Sequence, residues 1–210
     1  MVDLTDNDDK GALEYPKDFQ LRSQSVFLRP PDIADTQALF PLVSDSKLTE
    51  FLAWAPHEKI ETTRAMVASL INEQREGRAY HWIVSDFAGN LVGLVSLIDV
   101  RRTHRTWLQN RAEVAYWIAP AFQRQGFAEQ ATRLMVGFAF SDLSFHKLIV
   151  YYAADNPASG RVVEKLGFRY VGIHREAFCK NAVWHHLCEY ELLSSEFNQT
   201  ETLENLHTTR

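Results

Sequence analysis

The chain has 210 residues, a length that suits one domain with loose ends and would make two full domains cramped. Hydrophobic residues make up 46% and charged residues 23%, an ordinary globular balance that can bury a sizeable core. The formal net charge of −5 argues against sequence-specific nucleic-acid binding, because proteins with that function carry a basic surface.

The N-terminal residues and the cysteines predict where the protein works. Residues 1–11 (MVDLTDNDDKG) are acidic and lack the apolar region of a secretory signal. No apolar run reaches the roughly 18 residues that a membrane-spanning helix needs. Cys179 and Cys188 belong to no disulfide framework and to no metal-ligand spacing, so we expect reduced thiols and no bound metal. These features predict a cytoplasmic protein without membrane contact.

Strand and helix patterns alternate along the chain. In chain order they predict a strand at 26–29, helices at 32–43 and 62–75, a hairpin of strands at 80–85 and 91–100, a strand at 112–118, a helix at 129–140, a strand at 146–152, a helix at 156–167, and strands at 168–173 and 186–193. This order predicts a mixed sheet of about seven strands flanked by about four helices, in the α/β or α+β class. One domain is predicted at 19–193, between flexible segments at 1–18 and 194–210.

The segment Gln123-Arg124-Gln125-Gly126-Phe127-Ala128 lies between a predicted strand and a predicted helix. Small residues at alternate positions let an anion approach several backbone N–H groups beside the positive end of the helix. The segment therefore predicts a phosphate-binding loop. The alternative is an ordinary turn between a strand and a helix.

Four segments carry a resemblance to a known family. The spacing Gln123-x-x-Gly126-x-Ala128 resembles the pyrophosphate loop of the GCN5-related N-acetyltransferases (GNAT). Three others resemble the RimJ/RimL-like subgroup, which acetylates the N-termini of ribosomal proteins: Leu28-Arg29-Pro30, AEVAYWI at 112–118, and Asn156-x-x-Ser159 followed by EKLGF at 164–168. The resemblance implies the GNAT fold from about residue 20 to 193, with the sheet splayed between its fourth and fifth predicted strands.

The resemblance also implies acetyl-coenzyme A as co-substrate. Its pyrophosphate would lie over the N–H groups of Arg124 to Ala128, and its pantetheine arm would pair with the backbone of the splayed strand near Trp117 to Ala119. Asn156 and Ser159 would open a helix that faces the thioester, where the Ser159 hydroxyl donates to the leaving thiolate. Simple helix capping is the alternative for this pair. The implied cofactor-binding residues are Trp117, Ile118, Ala119, Gln123, Arg124, Gln125, Gly126, Phe127, Ala128, Asn156 and Ser159.

Glu113 is the first candidate for the general base, and Asn156 and Ser159 complete the candidate catalytic set. A carboxylate partly enclosed by a sheet has a pKa raised toward neutrality, which suits a base. The alternative is a structural ion pair with Arg111. Val163 stands where many family members place a tyrosine as general acid, so that role does not carry over.

Several residues leave open questions. Tyr116 and Trp117 alternate on a strand, so only one faces the acetyl pocket. His185 and His186 follow Trp184 where the subgroup has Trp-x-Asp, and at most one of them can act. The basic run at 101–105 is expected to be a solvated loop, with a phosphate or an acidic partner as the alternative.

The sequence thus predicts an acetyl-coenzyme A-dependent N-acetyltransferase that works by direct transfer in a ternary complex. The expected acceptor is the N-terminal α-amine of a protein. The alternatives are a small amine (a polyamine, an amino acid or an aminoglycoside), or a non-catalytic acyl-coenzyme A sensor on the same fold. The oligomeric state stays open, with a homodimer as one option.

Overall fold

The computed structural model describes residues 19–104 and 106–197, so the predicted flexible segment at 1–18 and most of the one at 194–210 lie outside the described residues. The strands are β1 (Leu21–Arg22), β2 (Val26–Arg29), β3 (Tyr80–Asp86), β4 (Leu91–His104), β5 (Trp107–Ile118), β6 (Lys147–Ala153), β7 (Arg169–Lys180) and β8 (Val183–Leu193). The α-helices are α1 (Thr36–Val43), α2 (Ser46–Thr49), α3 (Ile60–Arg75), α4 (Phe127–Ser141) and α5 (Pro157–Lys165). The predicted mixed sheet flanked by helices is confirmed, with one short strand and one short helix more than expected.

The predicted loop at 101–105 is wrong for its described residues, because positions 101–104 continue β4 and pair with β5. A two-stranded ribbon is held by main-chain hydrogen bonds, so polar side chains do not end it. Arg101 and Arg111 both pair with Asp99, and the guanidinium of Arg102 lies 3.9 Å from the centre of the Phe145 ring. Arg105 lies outside the described residues. The last two strands likewise extend beyond their predicted bounds into a long hairpin.

One sheet runs in the order β1-β2-β3-β4-β5-β6-β8-β7, and only the β5–β6 pair is parallel. That pair is short, because it begins at Arg111 opposite Lys147 and ends at Val114 opposite Val150. Beyond Val114, β5 stays paired with β4 as far as Ile118, whereas β6 stays paired with β8. The sheet is therefore splayed between β5 and β6, the fourth and fifth strands of the prediction, as expected.

Each face of the sheet buries its own apolar cluster. On one side, which we call the α4 face, Leu134, Met135 and Val163 pack with Val114 and Val150. On the other, the α3 face, the helices α1 and α3 cover Ile83 and Leu94, and Trp117 packs against the same cluster. Because neighbouring side chains of a strand point to opposite faces, these clusters fix the face of every strand residue near the splay.

Candidate active site

A cleft of about 1050 Å³ opens where β5 separates from β6. It is lined by the stretch of β5 that has no partner on the β6 side, by the start of α4, by the start of α5 and by the segment at 47–54 that follows α1. The predicted residues that line it are Glu113, Trp117, Ile118, Gln123, Arg124, Gly126, Phe127, Ala128, Asn156 and Ser159. The structure thus brings together residues that are far apart in the sequence.

The 123–128 loop is shaped to receive an anion. The Gln123 side-chain amide donates to the Ile118 carbonyl at 3.0 Å and so holds the loop against the end of β5. Arg124 and Gly126 have left-handed backbones, with φ of 62° and 81°. The first intrahelical bond of α4 runs from Gln130 N–H to Gly126 O, so the N–H groups of the first turn have no acceptor within the helix. These donors and the helix dipole together favour a phosphate.

Two predicted cofactor-binding residues do not line the cleft. Ala119 is buried, its N–H donates to the Val92 carbonyl at 2.9 Å, and its own carbonyl accepts from Phe122 N–H at 2.8 Å. The Gln125 side chain turns back to donate to the Ala121 carbonyl at 3.1 Å. The path of the backbone decides which members of the loop face the cleft.

Close approach of β4 shapes the cleft edge at Trp117. A Cβ atom on Gly93 would lie 2.2 Å from the Trp117 carbonyl oxygen and 2.8 Å from Ile118 Cδ1. Only glycine therefore fits between the two strands at this point. The sequence analysis missed Gly93, because a single glycine in a strand signals close approach without naming the approaching partner.

Glu113 lies on the α3 face, two residues along the strand from Ala115 and four from Trp117. It lines the cleft, and burial raises the pKa of its carboxyl group, with a further rise from Asp99 and an opposing effect of Arg111. The expected structural partner Arg111 forms its ion pair with Asp99 at 3.2 Å. The Glu113 carboxyl group therefore lines the cleft without an ion pair to Arg111, and its pKa lies above the ordinary value of a glutamate.

Asn156 caps α5 and also donates a hydrogen bond to the Ser159 hydroxyl group. The Ser159 N–H donates to the Asn156 side-chain oxygen at 3.4 Å, and the Asn156 amide donates to Ser159 Oγ at 3.2 Å. Capping and function are thus compatible, because a hydroxyl that accepts one hydrogen bond keeps its own proton for an acceptor in the cleft.

The two aromatic residues on β5 separate as alternation requires. Trp117 packs on the α3 face. Tyr116 packs on the α4 face, where its hydroxyl donates to the Ser159 carbonyl at 3.0 Å. Burial raises the pKa of Tyr116 to about 12, so it acts as a neutral donor that ties β5 to α5.

A tyrosine that the sequence analysis missed lies beside the start of α5. Tyr152 lines the cleft, and a Cβ atom on Gly160 would lie 2.6 Å from its hydroxyl. That hydroxyl donates to Tyr190, which donates in turn to Glu164 at 3.0 Å, and burial raises the pKa of Tyr152. Val163 is fully buried in the core, which accounts for an apolar residue at that position.

The β7–β8 hairpin holds the opposite wall of the cleft. The Lys180 ammonium group donates to the carbonyls of Leu52 at 2.6 Å and Trp54 at 3.2 Å, and also to that of Thr49. Neither His185 nor His186 lines the cleft. His185 pairs with Asp155, and His186 accepts from the Glu176 N–H at 2.8 Å, so both have structural roles.

Three further observations bear on the chemistry. Cys179 and Cys188 are both free thiols. In the described part of the chain, no group of three or more His, Cys, Asp or Glu residues is arranged to hold a metal ion. None of the helices between residues 19 and 197, as far as they are described, is long and apolar enough to cross a membrane.

Known proteins share this architecture. A family model described as an acetyltransferase (GNAT) domain matches residues 25–169. Spermidine N(1)-acetyltransferase of Vibrio cholerae is 27% identical over 180 residues, which are 85% of this chain and 99% of that protein. The uncharacterized N-acetyltransferase YoaA of Bacillus subtilis is 28% identical over 162 residues, covering 77% of this chain and 89% of that protein. RimL, a ribosomal α-N-protein acetyltransferase solved in complex with coenzyme A, superposes with a TM-score of 0.76 at 23% identity, covering 83% of this chain and 97% of that one.

Proposed function

The chain belongs to the GNAT acetyltransferase family, and we propose that it transfers the acetyl group of acetyl-coenzyme A to the N-terminal α-amine of a protein, in the manner of RimJ/RimL-like enzymes. Acyl transfer from acetyl-coenzyme A to an amine is the family's chemistry. The observation that carries the proposal is one continuous cleft, with a phosphate-type loop at one end and a half-buried carboxyl group on its wall.

The cofactor half of the cleft is proposed from its backbone donors. The N–H groups of the 123–128 loop would bind the pyrophosphate, and Arg124 would add a charge-assisted contact. The free edge of β5 at Trp117 and Ile118 would hold the pantetheine arm, because this stretch has no partner on the β6 side. The thioester would then lie near Ala115, where the splay begins.

The catalytic half combines a base with a proton donor. Glu113 would take a proton from the attacking nitrogen, and the Ser159 hydroxyl, polarised by Asn156, would donate to the departing sulfur. Transfer would be direct within a ternary complex. Among the cleft residues that the structure describes, there is no cysteine to form an acetyl-enzyme.

A polyamine is the second candidate acceptor, because carboxylates line the cleft at Glu50, Glu73 and Glu113. The ammonium groups along a polyamine would form ion pairs with these carboxylates. In addition, a relative of matching length is a spermidine N(1)-acetyltransferase. A peptide N-terminus carries one such charge and needs the width of the cleft for its following residues.

The first experiment is a calorimetric titration with acetyl-coenzyme A, coenzyme A and NADH, in parallel with a free-thiol assay. Short peptides with free N-termini are compared with spermidine, amino acids and an aminoglycoside. Thiol release with peptides alone supports the proposal, whereas release with spermidine alone assigns the second candidate. Binding of acetyl-coenzyme A without release from any amine would identify a sensor and overturn the proposed reaction.

A pair of glycine variants tests the cofactor loop. Gly126→Trp places a large side chain in front of the first turn of α4 and is expected to weaken coenzyme A binding at least about 100-fold, because several charge-assisted hydrogen bonds are blocked. Gly89→Trp is the matched control, since Gly89 has a similar left-handed φ of 86° in the β3–β4 turn, with no atom within 4 Å of its added Cβ. Equal coenzyme A affinity of the two variants would place the phosphate elsewhere. The cytoplasmic location and the homodimer stay predictions.

A further inference from the structure

A row of polar side chains crosses the α3 face of the sheet and ends at the splay. His81 on β3 lies opposite Ser96 on β4, and Ser96 lies opposite Ala115 on β5. Ala115 is the first β5 residue beyond the last β5–β6 pair. The neighbouring row on one side consists of Ile83, Leu94 and Trp117. The row on the other side pairs Ile98 with Glu113, so the polar row lies directly beside the candidate base.

Hydrogen bonds link this row to the surface of α3. His81 Nδ1 lies 2.8 Å from Ser96 Oγ, and His81 Nε2 lies 3.1 Å from Glu73 Oε2. His81 is only 2% exposed, whereas the Glu73 side chain is 29% exposed. All three side chains line the cleft. The row therefore connects the splay, where Ala115 is half-buried, with a carboxylate that reaches solvent.

The protonation state of His81 decides which of its ring nitrogens donates a hydrogen bond and which one accepts a proton from Ser96. Burial is the largest influence on its pKa and lowers it, against a smaller raising effect of Glu73. The ring is then neutral at pH 7, with Nε2–H donating to Glu73 and a bare Nδ1 that accepts the Ser96 hydroxyl proton. Ser96 Oγ keeps its lone pairs for a donor in the cleft. The other charged residues that line the cleft are Lys47, Glu50, Glu113, Arg124, Glu129, Arg161 and Lys165.

We propose that Ser96, His81 and Glu73 form a proton relay that deprotonates the ammonium form of the acceptor. The inference rests on the proposed acetyl transfer. An ammonium R–NH3+ and acetyl-coenzyme A give the amide R–NH–CO–CH3, the free thiol and one released proton. Two protons leave the nitrogen, and the one that Glu113 takes during attack is balanced by the one that the thiolate gains.

The relay accounts for the other proton, which must leave before the nitrogen can attack. The ammonium donates to Ser96 Oγ while the Ser96 hydroxyl proton passes to His81 Nδ1. The carboxylate of Glu73 stabilises the resulting imidazolium through the Nε2–H group. After the product leaves, the imidazolium returns its Nδ1 proton through Ser96 to water in the cleft, which restores the neutral ring protonated on Nε2. No bond other than N–H and O–H bonds is made or broken, so the step needs no further reactant.

The test uses Glu73→Gln, which keeps the size of the side chain and removes its charge. Glu76→Gln is the matched control, because Glu76 lies at the end of the same helix and pairs with Arg78 on the surface. The probes are spermidine and a lysine-free peptide with a free N-terminus. An alkylamine of pKa near 10.4 is about one part in a thousand neutral at pH 7.5, whereas an α-amine of pKa near 8 is about one quarter neutral.

For the relay we expect Glu73→Gln to lower kcat/KM at least about tenfold at pH 7.5, with a larger loss for the more basic amine. The loss should shrink as the pH approaches the pKa of the amine, because a neutral amine needs no relay. Acetyl-coenzyme A affinity and the Glu76→Gln control should be unchanged. A loss that is the same at every pH, or no loss, would overturn the relay.

A second measurement does not depend on turnover. Nitrogen-15 NMR of the His81 ring in the wild-type protein should show a neutral ring protonated on Nε2 at pH 7. An imidazolium, or a ring protonated on Nδ1, cannot accept the Ser96 proton and overturns the relay directly. If no amine is turned over although acetyl-coenzyme A binds, the proposed function fails and the relay fails with it. Amine turnover together with a His81 ring that is not neutral and protonated on Nε2 leaves the proposed function standing and overturns the relay alone.

Discussion

The substitution Gly93→Ala tests how closely β4 and β5 must approach beside the cofactor edge of the cleft. The added Cβ would lie 2.2 Å from the Trp117 carbonyl oxygen, which belongs to the backbone and cannot rotate away. Ordinary carbon–oxygen contacts in sheets are about 3.3 Å or longer, so the strands must separate by about 1 Å. The Ala119 N–H bond to the Val92 carbonyl, now 2.9 Å, would then exceed hydrogen-bond length.

The expected cost combines two effects. Overpacking of a filled position costs about 1–3 kcal/mol, and the loss of one backbone hydrogen bond about 0.5–1.5 kcal/mol. A free energy of unfolding lower by about 1.5–4.5 kcal/mol follows, out of the roughly 5–15 kcal/mol typical of a domain. The protein should still fold, with a melting temperature lower by about 3–18 °C. Acetyl-coenzyme A should also bind more weakly, because Trp117 and Ile118 line the cleft.

Urea unfolding and calorimetric titration measure the two effects on one preparation of Gly93→Ala. Gly172→Ala is the control, since Gly172 lies in the edge strand β7 with no atom within 4 Å of an added Cβ. Its stability should change by no more than about 1 kcal/mol, in the stabilising direction if any, because alanine restricts the unfolded chain. A Gly93→Ala protein with wild-type stability and wild-type affinity would show that the strands do not approach as described.

Three further substitutions or conditions test other parts of the site. Burial raises the pKa of Glu113, so kcat/KM should fall as the pH drops through that raised value. Glu113→Gln should lose this pH dependence, and its rate at pH 7.5 should be about 100-fold lower. A pH–rate profile that is unchanged in Glu113→Gln would show that Glu113 is not the base. Lys180→Met should raise the KM for the amine about tenfold with little change for acetyl-coenzyme A, because the loop from Thr49 to Trp54 loses its ammonium donor. The exposed Lys59→Met is its control, and equal KM values in the two variants would contradict the role of the hairpin. Burial lowers the pKa of His81, so on acidification the unfolded chain binds a proton at this residue before the folded protein does. The urea midpoint should stay constant above about pH 6.5 and fall below it, and it should fall more in the wild-type protein than in His81→Gln. Urea midpoints that fall equally with pH in the two proteins would contradict a buried neutral ring.

Sequence periodicity and local motifs predicted the order of the elements and the position of the 123–128 loop before α4, whose phosphate-binding role stays a prediction. A helix or strand pattern depends on neighbours within a few residues, and the Gln123 to Ala128 spacing is equally local. The capping role of Asn156 could be predicted from the sequence because capping is also local, since a cap acts on the first turn of its own helix. The lengths of the β4–β5 and β7–β8 hairpins were underestimated, because main-chain hydrogen bonds between strands leave no pattern in the sequence of their polar side chains.

Only the tertiary structure decided which residues share the cleft. Gly93 and Trp117 meet across a strand pair, Tyr116 reaches Ser159 across the splay, and the Lys180 ammonium spans from the last hairpin to the loop after α2. The polar row at His81 arises from strand register, which a single sequence does not specify because each partner strand can slide by two residues without changing faces. The sequence by itself therefore determined the order of the elements and the position of the 123–128 loop, whereas long-range register and packing decided the geometry of the cleft.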